Sequence, residues 1–144
     1  MEGVSLNILD IDTEAPTEGD KLENIFERQW ELMAKYHTIE RNNGLLLHNG
    51  DLPLDLHDRL SQASIRELIR RTVEELFEAS HCLKNSPWKV SHVLTDEDHF
   101  YEEVADAFHF FIELCATVGL DAEQLYRLYF KKSEVNLFRQ GSAY

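Results

Sequence analysis

Residues 101–118 read Tyr-Glu-Glu-Val-Ala-Asp-Ala-Phe-His-Phe-Phe-Ile-Glu-Leu-Cys-Ala-Thr-Val, and this stretch decides the fold. Val104, Phe108, Phe110, Phe111, Ile112, Leu114, Cys115 and Val118 recur at helical spacing. At about 100° per residue they cover most of the circumference. A helix that is apolar nearly all round is buried among others. The spacing predicts a central helix from Thr95 to Val118. Thr95-Asp96-Glu97-Asp98 opens it as a capping box, and Gly119 closes it.

Outward from this helix, three more follow from the same periodicity. Upstream, Ile65, Leu68, Ile69, Val73, Leu76 and Leu83 form the apolar arc of a helix from Ser61 to Lys84. Asn85-Ser86-Pro87 stops it, because proline breaks the hydrogen-bond ladder. Earlier still, Leu22, Ile25, Phe26, Trp30, Met33 and Ile39 mark a helix from Asp20 to Arg41, ended by Asn42-Asn43-Gly44. Downstream, Asp121 with Gln124 forms a second capping box, for a helix reaching about Phe138. Residues 45–58 contain Leu45-Leu46-Leu47, Asn49-Gly50 and Pro53 and read as a loop. Residues 1–19 read as an acidic, irregular lead-in whose apolar patch, Val4 to Ile11, packs on the body or on a partner subunit. The fold class is all-α, a bundle of four main helices: lead-in 1–19, helical domain 20–138, short tail 139–144.

The charge narrows the function. Lys plus Arg number 14 against 27 Asp plus Glu, a net charge of −13 over 144 residues. Holding nucleic acid by its phosphates needs a basic face, and so does docking on anionic lipid. Cations suit such a chain better, since carboxylates are the ligands Mg²⁺ prefers. Cys82 and Cys115 lie in helical patterns and read as reduced, buried thiols. No apolar run approaches 18 residues, and the first 20 residues lack the basic-then-apolar order of a signal peptide. A cytoplasmic location is expected.

Two carboxylate pairs carry the chemistry. Glu75 and Glu78 lie three apart on the second helix, Glu103 and Asp106 three apart on the third. That spacing puts both members of a pair on one face, one turn apart. Packed side by side, the two helices would aim four like charges at one spot, a repulsion that a divalent metal removes. Helices with solvated acidic faces are the bland alternative. Against it, Glu103 shares its face with Ala107, Phe110 and Leu114, within about 40° on the wheel. A carboxylate among such groups is costly to bury without a partner. His81 and His109 each follow a carboxylate by three residues, a spacing also found in di-iron bundles. That rival needs inward glutamates on the other two helices. Glu27 offers one, and nothing obvious offers the other.

Near the C-terminus, Tyr129, Lys132, Asn136, Arg139, Gln140 and Tyr144 lie close in sequence. Lys132, Asn136 and Arg139 share one helical face. Lys and Arg neutralise phosphate oxygens, and an Asn amide can read a base edge. Cations suited to a helix C-terminus are the alternative reading. A cationic face beside an acidic metal cluster suggests a metal-bound polyphosphate ligand.

In this order, Glu75-x-x-Glu78, Glu103-x-x-Asp106 running into His109-Phe110, and Tyr129-x-x-Lys132-x-x-x-Asn136-x-x-Arg139-Gln140 with a final Tyr144 resemble a known family. It is the dimeric dUTPase and T-even-phage-type dCTPase/dUTPase group of the all-α nucleoside triphosphate pyrophosphohydrolases, relatives of the MazG-type enzymes. Phe26-x-x-Gln29-x-x-x-Met33 also resembles that group's first helix. The resemblance implies cleavage of a deoxynucleoside triphosphate, dUTP or dCTP first, to the monophosphate and pyrophosphate, as phage-type control of the nucleotide pool. It implies two or more Mg²⁺ per site, with Mn²⁺ able to substitute, held by Glu75, Glu78, Glu103 and Asp106. Glu75 would orient or deprotonate the attacking water. Lys132 and Arg139 would contact phosphates, Asn136 and Gln29 the nucleoside, and Trp88 would sit near the base. The chain departs from the group in its short length, in Gly141-Ser142-Ala143-Tyr144 for the usual Gly-Tyr ending, and in Asn85-Ser86-Pro87-Trp88-Lys89 before the third helix. The short length leaves room for a second subunit at the pocket. A homodimer or higher homo-oligomer is expected, with Leu45 to Leu47 as interface material. A MazG-type enzyme taking other dNTPs, purines included, is the alternative within this chemistry. A di-iron carboxylate bundle stands outside it, as does a non-enzymatic interaction module.

Overall fold

Short polar side chains start three of the four helices by accepting backbone N–H groups that have no partner inside the helix. Asp20 Oδ1 accepts from the Glu23 amide at 2.9 Å and opens α1, Lys21–Asn42. Asp58 Oδ2 accepts from the Ser61 amide at 2.8 Å and opens α2, Arg59–Cys82. Before α4, Ala122–Gly141, the expected capping box forms in both directions. The Gln124 amide donates to Asp121 Oδ1 at 2.8 Å, and the Asp121 amide donates to Gln124 Oε1 at 3.0 Å. The start of α3, Glu97–Thr117, differs from expectation. Its N-cap is Asp96 and no side chain caps it, because Asp96 Oδ2 is drawn to His99 Nδ1 at 2.7 Å. These elements come from a computed structural model describing residues 7–45 and 51–141. Among the described residues there is no strand, and one 3₁₀ turn, Ile8–Asp10, precedes α1.

Helix ends follow the turn chemistry. Gly119 lies at φ +90°, and a Cβ there would come within 2.9 Å of Pro53 Cβ, so glycine suits both the backbone and the space. The Leu54 amide donates to the Thr117 carbonyl at 2.9 Å and ties the preceding loop to this corner. After α2, Asn85 staples the connection: its Nδ2 donates to the Val93 carbonyl at 2.8 Å and its Oδ1 accepts from the Val93 amide at 2.9 Å.

α2 and α3 form the main helix pair, α1 packs on α3, and α4 packs on α1. Phe26 and Met33 of α1, Ile112, Cys115 and Ala116 of α3, and Ala122 of α4 make the core. The buried residues of α2 are mostly small, Ser61, Ser64 and Ala79 with Ile65, which lets α3 approach closely.

Several expectations need correction. α3 is not buried all round: Val104, Phe108 and Phe111 are exposed, Phe108 at the edge of a cavity facing α1. Most of the expected arc of α2 is open too, with Ile69, Val73, Leu76 and Leu83 exposed. α4 runs on to Gly141, past the expected end near Phe138. Cys82 is only half-buried, and both thiols are free. The lead-in does meet the body, its 3₁₀ turn packing on α3. Val4, Leu46, Leu47, Asn49, Gly50, Ser142, Ala143 and Tyr144 lie outside the described residues.

Candidate metal centre and adjoining cavity

The close α2–α3 contact positions the carboxylates. One oxygen each from Glu75, Glu103 and Asp106 lies within 4.8 Å of the others, and all three side chains are half-buried. The structure thus brings three of the four singled-out carboxylates together. Glu78 is exposed and stands against Glu103 without joining the triad. Proton sharing with Glu75, then burial, then Glu78 push the Glu103 carboxyl up to about 8. Burial first, then the Glu102 charge, raises Asp106, while His109 pulls the other way.

This donor set fits a hard divalent cation. Glu103 Oε2 is sealed from water and has no hydrogen-bond donor on it, an arrangement costly for a carboxylate. A cation would satisfy it and relieve the repulsion in the same place. All three donors are carboxylate oxygens, the ligands of Mg²⁺ and Mn²⁺. His81 and His109 stand outside the triad, so the mixed imidazole–carboxylate set of a di-iron site is not assembled among the described residues.

A cavity of about 590 Å³ opens between α1, α3 and the lead-in. That volume lies in the range of small-molecule sites, roughly 300–1,000 Å³. Gln29, only 4% exposed, lines it with Ile25 from α1, and Phe108, His109 and Ile112 line it from α3. Among the described residues no group hydrogen-bonds the Gln29 amide. His109 follows Asp106 by three residues, so the cavity begins about 5 Å, one helical turn, along α3 from the triad.

The remaining singled-out residues lie elsewhere. Trp88 is 79% exposed on the stapled α2–α3 connection, so it neither caps the core nor lines the cavity. Lys132, Asn136 and Arg139 stand on α4, which packs on α1, and no α4 residue lines the cavity. Two cavity features escaped sequence reasoning. Thr13 to Pro16 form a wall, although an irregular segment has no periodicity to reveal its partner. Phe108 reads as core from its spacing, yet faces the cavity.

Residues 89–144 match the family model of the dUTPases. The match includes Glu103, Asp106, Lys132, Asn136 and Arg139 and stops short of Gln29, Glu75, Glu78 and Trp88. Comparison with curated proteins and with solved structures gives no match. The family match and the all-helical architecture fit the all-α NTP pyrophosphohydrolase superfamily. They support a dUTPase-type nucleotide pyrophosphohydrolase, a hydrolase of nucleoside triphosphates. No helix among the described residues is long and apolar enough to cross a membrane.

Proposed function

We propose that the protein is a Mg²⁺-dependent pyrophosphohydrolase of a deoxypyrimidine triphosphate, dUTP or dCTP. One observation carries this reading: an unpartnered buried carboxylate oxygen in an all-oxygen triad, one helical turn from a cavity floored by the Gln29 amide. Glu75, Glu103 and Asp106 would hold Mg²⁺, with Glu78, which stands against Glu103, as the fourth carboxylate. Bound Mg²⁺ supplies positive charge to the polyphosphate and makes water a stronger nucleophile. Glu75 orients the attacking water and takes its proton. Water adds across the α–β anhydride, the phosphorus–oxygen bond breaks, and dNMP and pyrophosphate leave. The nucleoside enters the cavity, where the Gln29 amide, donor and acceptor at once, meets the base edge. Lys132 and Arg139 (for the phosphates), Asn136 (for the nucleoside) and Trp88 (for the base) line no part of this cavity in one copy, so on this reading a second copy of the chain would bring them to it.

The same reading includes a second copy of the chain. On helical wheels, the exposed Ile69, Val73 and Leu76 of α2 and Val104 and Phe111 of α3 fall on flanks away from Glu75 and Asp106. Uncovered apolar area of this kind marks an interface. A homodimer covers it, and a monomer at low micromolar concentration in a sizing experiment would refute this.

Pyrophosphate release with Mg²⁺, measured across the four common dNTPs, dUTP and the ribonucleotides, tests the function. Preference for dUTP or dCTP, lost in Glu103→Gln, is expected. Preference for a purine triphosphate would move the protein to the MazG-type alternative. No turnover of any triphosphate would end the hydrolase reading.

A further inference from the structure

The cavity beside the triad exists because the lead-in crosses the α1–α3 groove. One end of this crossing is pinned at Asn7, whose Nδ2 donates to Asp98 Oδ2 on α3 while its Oδ1 caps the 3₁₀ turn through the Leu9 amide at 3.0 Å. The other end is pinned at Glu18, whose carbonyl accepts from Asn24 Nδ2 on α1 at 3.0 Å, next to the Gly19 turn at φ +86°. Between the pins, the Ala15 amide bonds to Thr13 Oγ1 within the segment itself, at 3.1 Å. Among the described residues, no hydrogen bond ties residues 12–17 to a helix. Thr13, Glu14, Ala15 and Pro16 nevertheless wall the cavity opposite Phe108 and Ile112. A segment fixed at both ends and unbonded in the middle can yield to a ligand without unfolding the body, since local opening is cheapest where few bonds hold.

We propose that residues 12–17 are a strap that sets the size of the base this cavity accepts, a specificity-determining element for the nucleotide reaction proposed above and resting on that reading. A base seated between Ala15–Pro16 and Phe108–Ile112 bears on the strap, and a two-ring purine bears on it more than a single-ring pyrimidine. Anchorage at Asn7 therefore resists purines, and bulk at Ala15 resists every nucleotide.

The test compares the wild type with Ala15→Trp and Asn7→Ala in the full chain, reading kcat, KM and base preference. Mg²⁺ binding without nucleotide, followed by calorimetry, checks the carboxylates. For Ala15→Trp, KM should rise at least about tenfold for all dNTPs with kcat and Mg²⁺ binding little changed, the usual scale for steric exclusion from a pocket. For Asn7→Ala, the pyrimidine-over-purine ratio in kcat/KM should fall about tenfold, again at unchanged Mg²⁺ affinity. Unchanged KM and unchanged base preference in these variants, with an active wild type, would overturn the strap alone. A wild type that binds a dNTP without cleaving it would sink the hydrolase reading, and the same comparison made on Kd would then decide the strap. A wild type that binds no nucleotide would overturn both.

Discussion

α3 is one helix with two unlike halves. From Ile112 to Thr117 it is core: Ile112, Cys115, Ala116 and Thr117 are buried against α1 and the corner at Gly119. The one carboxylate there, Glu113, is raised by burial, and Arg71 on α2 pulls it back down. From Glu103 to Phe108 the helix carries two half-buried carboxylates and two exposed apolar side chains, Val104 and Phe108. What acts on Glu103 is more carboxylate, from Glu75 and Glu78. Packing rules are obeyed in one half and broken in the other, and such local conflict is expected where a site waits for a ligand. The C-terminal half holds the fold, and the N-terminal half can stay unfavourable because of it.

The largest test of that contrast acts on activity. Glu103→Gln and Asp106→Asn should each lower pyrophosphate release by about 10³-fold, since the charge stabilisation a metal provides amounts to several kcal/mol. Neither variant should unfold the protein. A melting curve beside the rate assay checks both statements, and wild-type rates in either variant would move the site off α3.

In the core half the effect should be on stability instead. Met33 of α1 is fully buried against it. Met33→Ala should cost about 2–5 kcal/mol in denaturant unfolding, as removed core atoms leave a cavity. Turnover per folded molecule should persist. A loss of turnover at temperatures where the variant remains folded would mean that the two halves are mechanically coupled.

A pH series tests the site half without substrate. An ordinary glutamate titrates near 4.5, whereas Glu103 in the fold is pushed up to about 8. Between those values the folded chain keeps a proton that the unfolded chain has lost. Stability of the metal-free protein therefore falls as pH rises through this window. Mg²⁺ requires the deprotonated triad, so its stabilising effect should grow from pH 6 to pH 8. Glu103→Gln should flatten both trends. A metal-free protein equally stable at pH 6 and pH 8 would remove Glu103 as the strained group.

Much of this was legible in the sequence, and the failures have physical causes. Helical periodicity and turn residues located all four helices, because 3.6-residue spacing survives any tertiary arrangement. The carboxylate cluster was legible because Glu103 sits among Ala107, Phe110 and Leu114, a conflict visible on one helix. Which apolar side chains find a partner was not. Val104 and Phe111 have the same spacing as Ile112 and Cys115, and only the positions of the other helices separate exposed from buried. The placement of α4 on α1, away from the cavity, left no mark in its cationic face. The wall formed by Thr13 to Pro16 is irregular chain, whose neighbours no pattern encodes.

The smallest predicted effect concerns the openings of α3 and α4. Thr95-Asp96-Glu97-Asp98 and Asp121-Ala122-Glu123-Gln124 look alike as helix openings, yet only the second closes its bonds. The difference lies in what competes for the capping carboxylate. At Asp96 the His99 imidazole takes the oxygen and holds the carboxyl below its usual range. At Asp121 the oxygen is left for the Gln124 amide, and the Gln124 side chain returns the bond. Asp121→Ala should therefore cost about 1 kcal/mol, the usual value of a lost N-cap. Asp96→Ala removes no cap bond and should shift the melting temperature less. Equal shifts would mean that the α3 opening contributes as a cap after all, and that the site-bearing half is anchored as firmly as the core half.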